Sequence, residues 1–353
     1  MKQKLAEFLK TQLPVAVVFA AFGLAALALF VALAEPRERE HRAPFRRDYD
    51  ETPLRTALAG NGLEQTLTAL AHLGDAGDGH SLGRFTGSPG FYAAERYIRQ
   101  AFAEAGLDVQ TQEFGVVVPV TEYCEILDEN NQPLPDVLLY PFEPSGLTPL
   151  APPEEGLRGK LVLMENTSLE YLNGCQPDEC IALTTLDSGT DWKPLASAGV
   201  RALIVMEDEA AAKLRSSPDQ RGPWEAMLSS FEVGYPRFLA RGPLANYAGK
   251  RLTLRCKVTW QERKVRNIIG CLRGAATNTE AFICSAAYDS YSVVPELAPG
   301  AEQAVSVAAL IELARALAPY RGTLRRDVFF AATAGHAQAL SGVSRLIEGI
   351  EKI

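Results

Sequence analysis

Asp289 and His336 stand at turns that follow apolar runs, the places where an α/β protein keeps groups that meet a ligand. Asp289 closes the first half of "AFICSAAYDSYSVVPELAPGAEQ", residues 281 to 303. There an apolar strand ends in Tyr-Asp-Ser, and a Pro-Gly-Ala turn then opens a helix. A carboxylate at a strand's carboxyl end attracts a cation, and a peptide's free α-amino group is one candidate. The alternative is that Asp289 caps the following loop by accepting backbone N–H bonds. Tyr288 and Tyr291 could flank such a site or serve as core. His336 follows Gly335 after "RDVFFAAT" and reads as a polar residue at the mouth of a cleft. The chain has 4 histidines, so a multi-histidine site is hard to assemble. His41 falls on a linker, His72 on a short helix and His80 in a loop.

Other chemistries lack their residues. There is no Gly-x-Ser-x-Gly elbow, no phosphate loop and no dinucleotide fingerprint. Lys and Arg number 35 against 43 Asp and Glu, a net charge of -8. That balance argues against nucleic acid or an anionic lipid surface as partner. With 47% hydrophobic and 22% charged residues the chain is globular rather than disordered. Cys175 and Cys180 flank "QPDE" in a loop, where a local disulfide fits an oxidising compartment. Cys256 and Cys284 fall on apolar strand faces and read as small buried hydrophobes.

The elements that must position these residues follow from patterning. Residues 1–13 form an N-terminal tail. Pro14 to Ala34 carries no charge and is long enough to cross a bilayer as a helix. Lys2, Lys4 and Lys10 precede it and five Arg follow it within residues 35–47, so charge alone leaves its orientation open. The segment is read as an uncleaved anchor, with a signal peptide cleaved after Ala32-Leu33-Ala34 as the alternative. Either way the remainder lies on the extracytoplasmic side, behind a linker over 35–59. Ser88 and Pro89 begin a helix whose Phe91, Ala94, Ile98, Ala101, Phe102 and Ala105 share a face, and Gly106 stops it. From 115 to 262 the texture turns to short strands punctuated by Pro and Gly, among them "GKLVLM", "VRALIVM" and "KRLTLRCKVTW", with "WKPLASAG" as a helix. Alternating strands and helices resume with "VRNIIGCL", "EAFICSAAYD", Glu302 to Leu317, "RDVFFAAT" and Gln338 to Glu348. These segments predict an α/β sheet with helices on both faces, formed by 60–114 with 263–353 and interrupted by a mostly β insert over 115–262.

Five pieces, "GRFTGSPGFYAAERYI", "ASAGVRALIVMED", "VRNIIGCLRG", "AAYDS...PGAEQAVSVAALIELARALA" and "VFFAATAGHAQALSGVSRLIE", together resemble the zinc-dependent aminopeptidases of peptidase clan MH that carry a protease-associated insert. The resemblance implies a two-zinc site: a His two residues before the strand-end Asp, a bridging Asp in the Gly-Ala turn, and a Glu-Glu pair after the next strand. In this sequence those positions hold Ala287, Gln303, and His336 with Ala337. Ala287 offers no lone pair, and a neutral amide is a poor bridge between two dications. Glu302 is adjacent to the bridging position, but its side chain would need a backbone shift to reach inward. Only Asp289 persists, at the position that orients a ligand His in the family. The general base is absent with the Glu-Glu pair. The chain is therefore most similar to the metal-free nicastrin and nicalin branch. That implies a membrane-anchored, catalytically dead ectodomain, without cofactor, that binds a peptide or protein partner, in reach of other membrane proteins. Two alternatives stand beside it: an active zinc peptidase with relocated ligands, and a purely structural ectodomain.

Overall fold

The computed structural model describes residues 52–73, 83–142, 154–166, 168–185, 193–207, 235–275, 280–292, 294–298 and 302–350. The anchor read over 14–34, residues 35–51 of the linker read over 35–59, His41, His80 and the Pro299–Ala301 turn lie outside them, as does the Glu302 side chain, while the last part of that linker, Thr52–Ala59, is a helix. No helix among the described residues is long and apolar enough to cross a membrane.

Mixed α/β architecture is built on one large sheet. Its strands are β1 (Asp108–Leu127), β2 (Leu138–Pro141), β3 (Leu157–Leu163), β4 (Cys180–Thr185), β5 (Ala202–Met206), β6 (Arg237–Arg241), β7 (Arg251–Leu272), β8 (Ala281–Ala287) and β9 (Asp327–Thr333). They run in the order β2-β6-β5-β4-β3-β7-β9-β8, with β1 paired to β7. The helices are α1 (Thr52–Ala59), α2 (Gly62–Ala71), α3 (Pro89–Glu104), α4 (Lys193–Ala198), α5 (Val305–Leu317) and α6 (Ser341–Ile350).

The sequence pattern suggests two strands where β7 is one. Arg251–Leu272 runs without a break because β1 pairs with it antiparallel from Asp108↔Cys271 to Leu127↔Thr253. On its other side β7 meets β3 through residues 251 to 254 and β9 through residues 268 to 272. One ribbon thus carries both groups of strands. The polar "QERK" that reads as a boundary is the stretch where the ribbon passes between cores. Within it Glu262 and Lys264 are exposed.

Three apolar clusters hold the sheet. The first gathers Phe91, Ile98 and Phe102 of α3, Val307 and Ile311 of α5, Ile268 of β7 and Phe330 of β9. The α3 helix forms as its sequence predicts, with Ser88 accepting the Phe91 N–H at 3.1 Å and Pro89 in the first turn. Full burial of a side chain such as Phe102 contributes about 2–3 kcal/mol of transfer free energy. The other clusters cover the two faces of β3 to β6: Ile181, Leu183, Ile204 and Phe238 on one face, Ala182, Leu203, Val205 and Leu239 on the other. Strands buried on both faces explain the unbroken apolar runs there, and β3-β4-β5-β6 are parallel as such runs require.

Helices cover both faces of the sheet around β7. A Cβ on Gly270 would lie 2.6 Å from Leu107 and 3.0 Å from Phe102, so this face of β7 is pressed against α3. Asn267 points the other way by strand alternation and donates to the Gly342 carbonyl of α6 at 2.8 Å. The β8 strand departs from expectation. Its apolar sequence reads as buried, yet Phe282 is 50% and Ile283 46% exposed, because β8 ends the order of the described strands and pairs with β9 alone.

Candidate functional site

A cleft opens where β8, β9, α5 and α6 converge, beyond the carboxyl ends of the two parallel strands. Its volume is about 360 Å³, and Ala287, Asp289, Tyr291, Gln303, Ser306 and His336 are among its lining residues. The β8-α5-β9 crossover places Asp289 just past one strand and Gly335-His336 just past the next.

Asp289 is 6% exposed. Its Oδ2 accepts the Thr86 hydroxyl and the His336 backbone N–H, each at 2.8 Å, while Oδ1 is buried with no hydrogen-bond partner among the described residues. Burial raises the carboxyl above its ordinary range, and the Thr86 and His336 donors oppose that shift. The capping role and a buried, unpaired oxygen coexist on one side chain. Because the His336 main chain makes the bond, Asp289 does not orient the imidazole, which belongs to an exposed residue.

The loop before α3 supplies most of the support. Arg84 and Ser290 exchange bonds: the Arg84 N–H donates to Ser290 Oγ at 3.0 Å and the Ser290 N–H to the Arg84 carbonyl at 2.9 Å. The Arg84 guanidinium, fully buried, donates from Nε to the Tyr288 carbonyl and from Nη1 to that of Leu70, both at 3.0 Å. Burial lowers it to about 10 and the Asp289 charge works against this, so it stays protonated at neutral pH.

Gln303 lines the cleft but spends its amide on the loop. Its Nε2 donates to the Tyr291 carbonyl at 2.9 Å and its Oε1 accepts the Tyr291 N–H. Both halves of the amide are therefore used on one main-chain residue, which a carboxylate could not match without a proton. Further along the same loop Val294 and Leu297 are buried in the cluster that also holds Met164 and Leu203, so the loop bearing Tyr291 reaches from the cleft into the packing of the β3–β6 strands.

Of the residues singled out from sequence, Ala287, Asp289, Tyr291, Gln303, His336 and Ala337 line this cleft. Tyr288 does not. It is fully buried, stacks on Phe91 with ring centroids 4.8 Å apart and donates its hydroxyl to the Arg266 carbonyl at 2.8 Å. Burial, with the Glu95 and Asp289 charges, holds its phenol well above the ordinary value. Cys175 and Cys180 are joined by a disulfide away from the cleft lining. Arg84, Thr86, Ser306 and Thr333 were missed as site residues. The only sequence signal for the first two was the polar "GRFTG" just ahead of a helix cap.

Among the described residues no group of three or more His, Cys, Asp or Glu side chains is placed to hold a metal ion. The donors present do not suit the two-zinc arrangement that the sequence resemblance implies. Ala287 and Ala337 offer no side-chain donor, Gln303 is committed to Tyr291, and one oxygen of Asp289 is already bound.

Comparison with known proteins fits this layout. Residues 267–352 match the model of Peptidase family M28. The fold is aminopeptidase-like: the zinc aminopeptidase BSAP from Bacillus subtilis superposes with a TM-score of 0.54 at 19% identity, covering 81% of this chain and 64% of that one. A Peptidase M28 precursor from Shewanella amazonensis gives 0.51 at 16% identity, covering 84% and 70%. The chain thus spans less than two thirds of the length of the BSAP chain. No curated protein sequence matches it significantly. The segment matched by the M28 model holds Asp289, Gln303 and His336.

Proposed function

We propose that this chain is a catalytically inactive, M28-like ectodomain that holds the free amino end of a peptide or protein partner. The observation that carries the reading is the Gln303 amide, engaged on both sides by Tyr291 at the position where the resemblance to the zinc enzymes calls for a bridging carboxylate. A side chain that fixes a loop is not free to share two metal ions, and the positions given to a ligand His and to the catalytic Glu-Glu pair hold Ala287, His336 and Ala337.

Asp289 supports the choice of ligand. Asp289 lines the cleft and its buried Oδ1 lacks a partner among the described residues, so an ammonium group in the cleft brings charge that offsets the cost of keeping a desolvated carboxylate ionised. A cleft of about 360 Å³ takes one or two residues, as small-ligand sites do. Tyr291 and Leu340 line it beside the carboxylate.

The reading extends to the rest of the chain. Residues 14–34 anchor it in the membrane as a single span, with 35–353 on the extracytoplasmic side; cleavage of that segment and secretion is the variant. Residues 60–114 and 263–353 make the peptidase-like part. The β-rich stretch 115–262 is a protease-associated-like insert, in the manner of the nicastrin and nicalin branch, and other membrane proteins are candidate partners. The similarity to zinc aminopeptidases favours one rival, an active zinc peptidase using ligands outside the described residues.

Elemental analysis of the purified chain, run beside a chelator-controlled aminopeptidase assay and titration with short peptides, separates the two. Under the proposal the protein holds no stoichiometric zinc and turns over nothing. N-terminal acetylation then weakens peptide binding by about tenfold or more, since losing one charged contact costs at least about 1.4 kcal/mol. Two zincs per chain with chelator-sensitive turnover would overturn it.

A further inference from the structure

Beyond the cleft, the β1-β7 ribbon places two cysteines face to face. Cys124 and Cys256 are direct partners in the antiparallel register, immediately past the irregularity between Thr121 and Tyr123. Antiparallel partners have Cα atoms about 4.5–5.5 Å apart, inside the roughly 4.4–6.8 Å that a disulfide spans. Both thiols are free, and the neighbouring Cys256 thiol acts on that of Cys124. Among the described residues no other free pair is so placed: Cys271 stands opposite Asp108 and Phe329, and Cys284 opposite Phe330. The bonded Cys175 and Cys180 are what an oxidising compartment produces, and that compartment would act on this pair too.

We propose that Cys124 and Cys256 form a cross-strand disulfide, a second covalent link that pins the ribbon where it leaves the peptidase-like core. The oxidant is a small-molecule disulfide such as oxidised glutathione. The thiolate of Cys124, which is half-buried, attacks one of its sulfurs and expels the first glutathione thiolate. Cys256, at 2% exposure, then attacks the Cys124 sulfur of the mixed disulfide and expels the second. Two protein thiols lose two electrons, one external disulfide gains them, and the two protons pass to the departing thiolates. Burial, with the neighbouring Cys256, Glu296 and Glu125, holds the Cys124 thiol well above its ordinary value. Exchange in the folded chain is accordingly slow and calls for an oxidoreductase catalyst.

The test uses the full chain in detergent, equilibrated with graded ratios of reduced to oxidised glutathione and a thiol-disulfide oxidoreductase. It is then acid-quenched, alkylated under denaturing conditions and mapped without reduction by mass spectrometry. The expected result is a peptide pair joined through Cys124 and Cys256 that appears in one two-electron transition. Cys256→Ser should lose that transition and accumulate glutathione on Cys124. Recovery of Cys124 and Cys256 as separate alkylated peptides at every ratio, while Cys175 and Cys180 are joined, would overturn the proposal. So would linkage of Cys124 to any other cysteine.

Discussion

Asp289 is a carboxylate kept in the interior with one oxygen occupied and one unpartnered. Its raised affinity for a proton makes stability depend on pH in a definite direction. The native chain binds more protons than the unfolded chain between the ordinary carboxyl value, about 3.9, and the raised native value. Stability contributed by this group is therefore complete below that window and falls as pH rises through it. Asp289→Asn keeps an acceptor for Thr86 and His336 but cannot ionise. Urea unfolding of both proteins near pH 4 and pH 7 should show the wild-type chain losing ground to the variant as pH rises. A difference that does not change with pH would mean that the Arg84 guanidinium fully balances the charge. At this scale sequence reading saw that Asp289 stands alone among degenerate positions. It could not see that Gln303 turns its amide to Tyr291, because that depends on a loop position fixed by packing twelve residues away.

Asn267 shows how elements converge on the cleft. It is fully buried on β7, donates from Nδ2 to the Gly342 carbonyl at 2.8 Å and to Gln112 at 2.9 Å, and accepts the Ala334 N–H at 3.1 Å. It thus ties the end of β9 to the start of α6, on either side of the Gly335–His336 turn. The approach is tight: a Cβ on Gly342 would lie 2.1 Å from the Ala334 carbonyl oxygen, so that position admits only glycine. Asn267→Ala strands buried partners, each worth about 1–3 kcal/mol. We expect a loss of about 3 kcal/mol by denaturant unfolding, with faster amide exchange from Ala334 to Gly342. A loss below about 1 kcal/mol would show that the turn holds without it. Elements with local signals were legible: Ser88 and Gly106 bound α3, and the short apolar runs gave β3 and β5. The extent of β7 was not, since its polar middle is set by where the ribbon passes between cores. Nor was the exposure of β8, because an apolar strand on an edge has the same sequence as one inside.

For the molecule as a whole, the ribbon decides how the parts depend on each other. Its β1 strand contributes Phe114, Val116 and Val118 to one cluster and Ile126 to another, so the two clusters cannot come apart without breaking it. Trp260 stands opposite Pro119 near its middle. In a chain with Trp192 and Trp224 replaced by Phe, the fluorescence of Trp260 and far-ultraviolet circular dichroism should report one coincident unfolding transition. Two separated transitions would show that the parts unfold independently.

The same ribbon sets an order of events in synthesis. All 20 residues of β1 leave the ribosome well before their partner, which begins only at Arg251. Until then β1 waits as an unpaired strand edge, open to wrong partners. Closing so long a loop is slow compared with forming the local β4-α4-β5 and β8-α5-β9 units. The newborn chain therefore has a long interval in which that edge is open to aggregation, and the interval ends when β7 arrives.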